Sequence, residues 1–496
     1  MQKFKFVLGK VLGGLFAIAA VVLLVGLWKL QMLPTTLVTL AGVLLVLMTA
    51  LVIVLTWSGR GKVRMTLGII VAVVGIAVMC AGSFYIWKAV STLNNISAGN
   101  TETVQMGVYM RDDDARELSS ENVGSFQFGI LETMDRQSTD SVVEKLNKDL
   151  KANIACKEYE SPAELVDALL KSEADAIILN QAVLQLLEEI PGYTEKLTKL
   201  KEVLVHSVEI KTENNANGEQ SAKPDYASLK DSFAVYISGI DTNGKPSVKS
   251  RSDVNIVAVV NPKTRQILLV STPRDYYVTI SSPQAYLDGK KDKLTHAGLG
   301  GPNASRETLS NLYGIDINYY FKVNFSGFQE IVNALDGITV HSDFDFKSTG
   351  GGEVYYYHKG DNEMDGKAAL AFCRNRYSFV DGDNQRGKNQ MAVIKAVIDK
   401  AMSPKLLTNY AQILEAVSGS MEMTVPMDVI GDLVSRQLAE GGDWNVVSYS
   451  VTGTGGSEAS PAAGGTKAYM MYPNQESVDK AKQLIMDLVD GKIVTP

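Results

Sequence analysis

Three cysteines and four histidines are all that this chain of 496 residues offers to disulfide or soft-metal chemistry. Cys80 falls in an apolar run, while Cys156 and Cys373 lie in segments that read as different domains, so no structural disulfide is expected. His206, His296, His341 and His358 are scattered rather than paired, which leaves little support for a zinc site. An excess of positive charge is also missing. The net charge of -7 disfavours broad contact with a phosphate backbone, so nucleic acid is not an expected partner.

Long hydrophobic runs are absent beyond about residue 90 but crowd the residues before it. Val11 to Trp28, Leu37 to Trp57 and Leu67 to Trp87 are each long enough to cross a hydrocarbon core of about 30 Å. No small-residue cleavage site follows the first run, so it reads as a retained anchor rather than a signal peptide. Lys3, Lys5 and Lys10 precede the first span, and Arg60, Lys62 and Arg64 separate the second from the third; Lys29 alone marks the other connector. The positive-inside rule then puts the N-terminus in the cytoplasm, and three crossings put everything after about residue 90 outside the cell.

The composition divides the chain into an anchor (1–90), a polar connector (91–103), an accessory domain (104–210), a linker (211–230) and a larger domain (231–496). Strand-like and helix-like runs alternate in the accessory domain, which argues a small α/β unit. Its Asp112, Asp113 and Asp114 read as a solvated turn. The stretch Lys211 to Lys230 is polar and without periodicity. Beyond it come three strand-like runs: Phe233 to Ile240, Val254 to Val260 and Gln266 to Thr272. A long helix is expected from about Lys388 to Met402, a flexible Gly/Ser/Ala loop from Gly453 to Gly465, and a terminal helix from Gln475 to Leu488. Mixed strands and helices imply helical layers around a sheet.

Short loops between sequential strands favour antiparallel neighbours. Paired in this way, the three runs bring Asp241, Asp253 and Arg274 to one sheet edge. Two carboxylates suit a hard cation such as Mg²⁺, and a guanidinium suits the phosphate oxygens that the cation bridges. The plainer alternative makes the two acids turn residues and the arginine half of a surface ion pair. A second cluster runs from Cys373 to Gln390 and holds Arg374, Arg376, Asp381, Asp383, Arg386 and Gln390. Extended chain would put Arg374 and Arg376 on one face. Arg386 and Gln390, four apart at a helix start, would face the same way, where a helix N-terminus favours a diphosphate. A solvated loop is the alternative there, and an aromatic-rich core is the alternative to a lipid pocket at Tyr319, Tyr320, Phe321, Phe325 and Phe328. Tyr355, Tyr356 and Tyr357 read as an edge strand.

The segments SGIDTNG (Ser238 to Gly244), RSDVNIVAVVNP (Arg251 to Pro262), STPRD (Ser271 to Asp275), KLTHAG (Lys293 to Gly298) and MDGKAALAFCRNR (Met364 to Arg376) stand in a fixed order, followed by DNQR. In this they resemble the LytR-CpsA-Psr family across roughly Phe233 to Ala401. Three spans and an extra exterior unit look like its streptococcal capsule-type CpsA branch. The resemblance implies an α-β-α layered domain with a central mixed sheet, a polyprenyl pocket, and transfer of a glycopolymer, such as capsular polysaccharide, from a polyprenyl-diphosphate donor to a peptidoglycan acceptor. Carried over by motif, Asp241 and Asp253 would hold Mg²⁺ or Mn²⁺. Arg274, Arg374, Arg376, Arg386 and Gln390 would contact the diphosphate, with the first three acting in catalysis and Asp383 offered as general base. Membrane lipid and other capsule-assembly proteins are the further partners implied. A non-catalytic membrane regulator of capsule synthesis and a polyprenyl-diphosphate hydrolase are the alternative functions.

Overall fold

The computed structural model describes residues 2–30, 33–57, 62–97, 101–188, 190–211, 229, 231–241, 248–282, 287–376, 378–379, 382–403, 413 and 416–496. The chain folds as two compact units. The first holds residues 1–98 with 398–418 and 425–443; the second holds 99–397, 419–424 and 444–496.

In the first unit the apolar runs become α1 (Gln2–Leu30), α2 (Thr35–Trp57) and α3 (Lys62–Ser97), all long and apolar enough to cross a membrane. Little of their apolar length is buried among themselves: 6% for α2, and 22% for the other two. Such helices are apolar all round, which is stable only with lipid as solvent. Small residues let the helices approach. A Cβ on Gly68 would lie 2.7 Å from the Leu55 Cβ, and one on Gly75 would meet the Phe16 ring. Lys10 sits 5.8 Å from the Trp57 ring and Lys29 5.0 Å from Trp87, the amphipathic pairing that marks the ends of a span. The stretch expected as a connector after residue 90 is helical as far as Ser97, and a strand has begun by Thr101.

Among the described residues the second unit is built around two large sheets, of five and six strands, with four two-stranded ribbons beside them. The smaller is built from β1 (Thr101–Arg111), β2 (Gln127–Leu131), β3 (Ala155–Tyr159), β4 (Ala176–Asn180) and β5 (Leu200–Lys211) in the order β3-β2-β4-β1-β5. β2 runs parallel to β3 and β4, whereas β1 is antiparallel to β4 and β5. Helices α4 (Arg136–Leu150), α5 (Pro162–Leu170), α6 (Gln181–Leu187) and α7 (Tyr193–Leu197) cover its faces. Ser161 starts α5, its hydroxyl accepting from the Glu164 N–H with Pro162 behind it. The linker expected at 211–230 falls almost wholly outside the described residues.

The larger part contains β6 (Phe233–Ile240), β7 (Ser252–Asn261), β8 (Gln266–Ser271), β9 (Tyr277–Thr279), β10 (Lys291–Lys293), α8 (Leu294–Ala297), α9 (Pro302–Tyr313), β11 (Tyr319–Asn324) and α10 (Phe325–Ala334). It continues with β12 (Ile338–Ser342), β13 (Phe346–Gly350), β14 (Glu353–Tyr357), β15 (Gly360–Met364), α11 (Gly366–Arg374), α12 (Asp383–Ala401) and β16 (Met421–Met423). After α13 (Met427–Glu440), which belongs to the first unit, come β17 (Asn445–Ser450), β18 (Gly453–Ser460), β19 (Thr466–Pro473) and α14 (Gln475–Val489). The main sheet runs β16-β11-β6-β7-β8-β17 and is mixed: β6-β7-β8 are antiparallel, while β11 and β17 join them in parallel. β8 is buried at every residue, as a central strand covered on both faces must be.

The loop expected from Gly453 to Gly465 is instead β18 and a tight turn, paired antiparallel with β19. Its glycines weaken strand propensity, but they leave room for aromatic rings from β19. A Cβ on Gly455 would lie 3.0 Å from the Tyr469 ring, and one on Gly456 would collide with Tyr472. The turn of this hairpin also joins the two sheets: Ala463 is buried with the small sheet's core, while Ala182 and Leu186 of α6 pack into the core of the large one.

Gly298 fixes how α8 meets the start of β7. A Cβ there would sit 2.6 Å from the Ser250 carbonyl oxygen and 2.8 Å from the Ser252 nitrogen, both backbone atoms that cannot swing aside. Gly298→Ala is therefore expected to cost about 1–3 kcal/mol and to lower the Tm in a thermal melt of the full chain.

Candidate active site

The antiparallel order of β6, β7 and β8 delivers what their short loops imply. Asp241 follows the last residue of β6, and Arg274 lies three residues past the end of β8 at the same edge. The edge is not regular. Gly239 pairs with Val254 but Ile240 with Ser252, so Asp253 is the extra residue of a bulge. A bulge re-aims the side chain of its unpaired residue, which here carries the charge. Arg274 Nη1 donates to Asp253 Oδ1 at 3.0 Å, and Thr295 Oγ1 in α8 donates to the same oxygen at 3.5 Å. Asp275, which sequence reasoning left out, continues the network with Arg274 at 3.6 Å and Lys293 at 3.5 Å.

α12 closes the site from above. It begins at Asp383, five residues earlier than expected, so Arg386 and Gln390 fall in its first two turns. Gly387 allows the approach, since a Cβ on it would lie 3.0 Å from the Ser271 hydroxyl. Asp253, Arg274, Arg386 and Gln390 consequently line one pocket, together with Asn255, Ser271, Asn384 and Ser450. The Ser450 hydroxyl is buried and makes no hydrogen bond among the described residues. Below the pocket a polar network crosses the sheet. The Tyr236 hydroxyl lies 2.8 Å from Ser252 Oγ and donates to Asn255 Oδ1 at 2.8 Å, and Ser238 and Ser252 are joined at 2.8 Å.

The remaining candidates are not among that pocket's lining. Arg374 ends α11, so the alternation that would place it beside Arg376 in extended chain does not apply; Asn375 follows as an extended cap. Its guanidinium lies 4.2 Å from the Phe325 ring, a cation–π contact that uses one of the aromatics considered for a lipid pocket. Tyr320, another of them, is buried and donates to Glu422 at 2.6 Å. Arg376 is half-buried just beyond the cap. Asp241 is half-buried, and the residues after it, 242–247, are outside the described ones. Asp381 and the Asp383 side chain lie outside them as well. His296 is a buried structural residue, its Nδ1 2.9 Å from Asp292, which also accepts from Ser460 and from the Ala462 N–H. Asn255 and Ser252 could have been found as polar residues inside an otherwise apolar strand; Asn384 and Ser450 carry no such signal.

Burial pushes the Asp253 carboxyl pKa up, but the guanidiniums of Arg274, Arg386 and Arg251 outweigh it and hold the group below its ordinary range. The Asp253 carboxylate is thus held ionised, with Arg274 and Arg386 beside it in the pocket lining.

The family model described as the LytR_cpsA_psr family matches residues 198–485. Over 201 residues the chain is 39% identical to a polyisoprenyl-teichoic acid–peptidoglycan teichoic acid transferase TagU of Enterococcus faecalis, a match covering 40% of this chain and 63% of the relative. A TagU of Bacillus cereus is 32% identical over 45% of this chain and 69% of its own length. Among solved structures, that of B. subtilis TagV is 28% identical, with 54% of this chain and 99% of that one covered at a TM-score of 0.44.

Because the folded pKa of Asp253 lies below the unfolded value of about 3.9, its ionised form stabilises the fold fully above that pH. The contribution is lost as pH falls through the folded pKa. Asp253→Asn is expected to flatten the acid limb of the stability curve below about pH 4 and to leave its slope between about pH 7 and 9 unchanged, as read by denaturant titration at each pH.

Proposed function

This chain belongs to the LytR_cpsA_psr family, and from that membership we propose that it moves a glycopolymer from a polyprenyl-diphosphate carrier to peptidoglycan at the outer face of the membrane. The observation that carries the reading is the convergence of Asp253, Arg274, Arg386 and Gln390 in one pocket. The curated relatives, named as transferases of teichoic acid to peptidoglycan, supply the reaction class. The family match begins at residue 198, so the three spans and most of the small sheet are additions to it. The likeness of that layout to the capsule-type CpsA branch supports capsular polysaccharide or a related wall glycan as the cargo. The basic residues before α1 and between α2 and α3 support a cytoplasmic N-terminus with the pocket outside.

In this reading Arg274 and Arg386 bind the diphosphate with the first turn of α12, whose unpaired N–H groups and dipole favour an anion. Asp253 orients Arg274 through the 3.0 Å bond. Arg374 and Arg376, at the end of α11 and outside that pocket's lining, would add their charge to the same phosphates. Asp241 and Asp253 would hold Mg²⁺ or Mn²⁺. Two carboxylates at one sheet edge, with Asp253 bonded to Arg274 through Oδ1, would suit a hard cation. When bound, the cation neutralises charge on those oxygens. The guanidiniums stabilise the charge that gathers on the departing lipid phosphate. Asp383 accepts the proton of the acceptor hydroxyl. If that oxygen attacks the sugar-side phosphorus, the new P–O bond replaces the bond to the lipid phosphate and polyprenyl monophosphate leaves. Attack at the anomeric carbon would release the diphosphate.

The test mixes the full-length chain in detergent with a polyprenyl-diphosphate oligosaccharide, Mg²⁺ and peptidoglycan fragments, and identifies the released lipid by mass spectrometry. Acceptor-dependent monophosphate is expected, and Arg274→Ala and Arg386→Ala should each lower kcat by about 10²–10³-fold. Release without acceptor would make the chain a hydrolase. Silence under conditions where a TagU enzyme turns over would make it a regulator.

A further inference from the structure

β14 and β15 are separated by only two residues, yet they do not pair with each other. β14 pairs with β13 and β15 with β12, and the chain opens a cleft of ≈ 350 Å³ between them. Ligand pockets fall in the range of about 300–1,000 Å³. The frame of the cleft is rigid. Tyr357 packs its ring 4.8 Å from Phe346 and 5.1 Å from Phe372, and its hydroxyl donates to the Ala368 carbonyl at 2.7 Å. The Asn362 side chain accepts from the His358 N–H at 2.8 Å and donates to the His358 and Gly360 carbonyls at 2.7 and 2.9 Å, locking the turn at the mouth.

Against this frame stand groups that the fold does not use. Tyr356 is 72% exposed, a large aromatic plate in water at the rim. Glu363 and His358 are exposed beside it and make no side-chain hydrogen bond among the described residues. An aromatic face next to a carboxylate and an imidazole matches a pyranose ring, whose C–H face is apolar and whose rim carries hydroxyls that both donate and accept. The charge of the cleft narrows the choice. Two carboxylates line it, Asp361, which is paired with His341 at 2.8 Å, and Glu363, whose side chain makes no hydrogen bond among the described residues; they disfavour a phosphate-bearing polymer and admit an uncharged sugar. Ala368 lines the floor of the cleft, and Arg374, six residues further along α11, is about 9 Å away along the helix axis.

We propose that the cleft between β14 and β15 binds a neutral saccharide ring, and that this ring belongs to the glycan strand of the acceptor. The second half rests on the transferase reading above; the first does not. Arginines thus take the charged donor, and an acidic, tyrosine-lined cleft takes the uncharged strand that receives it.

The full-length chain in detergent, without any lipid donor, is titrated with a tetramer of β-1,4-linked N-acetylglucosamine and followed by calorimetry and saturation-transfer NMR. Saturable binding is expected, weakened at least tenfold by Tyr356→Ala and several-fold by Glu363→Gln, with no competition from a glycerol-phosphate polymer of similar length. Tyr356 is too exposed for its loss to unfold the chain. Absence of saturable binding by the native chain, equal binding by Tyr356→Ala, or displacement by the anionic polymer would each overturn the proposal. In the transfer assay Tyr356→Ala should raise the acceptor KM and leave kcat unchanged. Tetramer binding in a chain that transfers nothing would keep the saccharide cleft and remove the transferase reading; transfer without tetramer binding would do the reverse.

Discussion

The contact between Asp253 and Arg274 is the constraint on which the arrangement of the large sheet's working edge depends. Neither partner is more than a fifth exposed, and a charge so placed must be paired or pay heavily for lost hydration. Satisfying that pair requires β7 to bulge at Asp253 and the chain after β8 to turn back across the edge. It also requires α8 to bring Thr295 alongside, with Gly298 keeping α8 against the β7 backbone. Once these are in place, the net positive field of Arg251, Arg274 and Arg386 is set in position before any ligand arrives.

The candidate groups fall into two sets held by different elements. One is attached to the sheet edge and the start of α12 and shares a single pocket; the other, Arg374 and Arg376, sits at the end of α11. α11 is a short helix with the tyrosine cleft near its first turn and Arg374 at its last residue. Phe325 holds the Arg374 guanidinium by its ring face, which restrains the side chain and leaves its N–H groups available. A single short helix therefore carries the Arg374 guanidinium at one end and one wall of a sugar-sized cleft near the other.

The small sheet is attached to this machinery through buried polar contacts. Lys249, two residues before Arg251, is buried, and its N–H donates to the Thr103 carbonyl of β1 at 2.8 Å. Asp135 at the start of α4 is bonded to Asn180 at 2.9 Å; burial raises its pKa, while Asn180 and the charge of Lys249 act in the opposite sense. At the other joint, Asp292 receives Ser460 and Ala462 from the β18–β19 turn. Burial works against its ionisation, but His296 and the N–H groups of Ala462 and Lys293 keep its pKa below the ordinary range. Between the two sheets the Lys249 N–H and the Thr103 carbonyl satisfy each other, and the β18–β19 turn carries Ala463 into the small sheet's core.

Much of this was legible from residue order alone, because it depends on local periodicity and short connections. Apolar runs of bilayer length became α1, α2 and α3, and short loops between β6, β7 and β8 put Asp241, Asp253 and Arg274 at one edge. Arg386 and Gln390, four apart, were bound to share a helix face wherever that helix lay. Tertiary packing decided the rest. A bulge is a mismatch between two strands and cannot be read from either, so the aim of Asp253 was not in the sequence pattern. Gly453 to Gly465 looked like a loop because glycine lacks strand propensity, until rings from β19 occupied the space its missing side chains left. Arg374 and Arg376 were placed on one face by a strand-like reading that the end of α11 replaced. The cleft between β14 and β15 arises because each strand found a different partner, and pairing between distant segments is a property of the fold rather than of the chain.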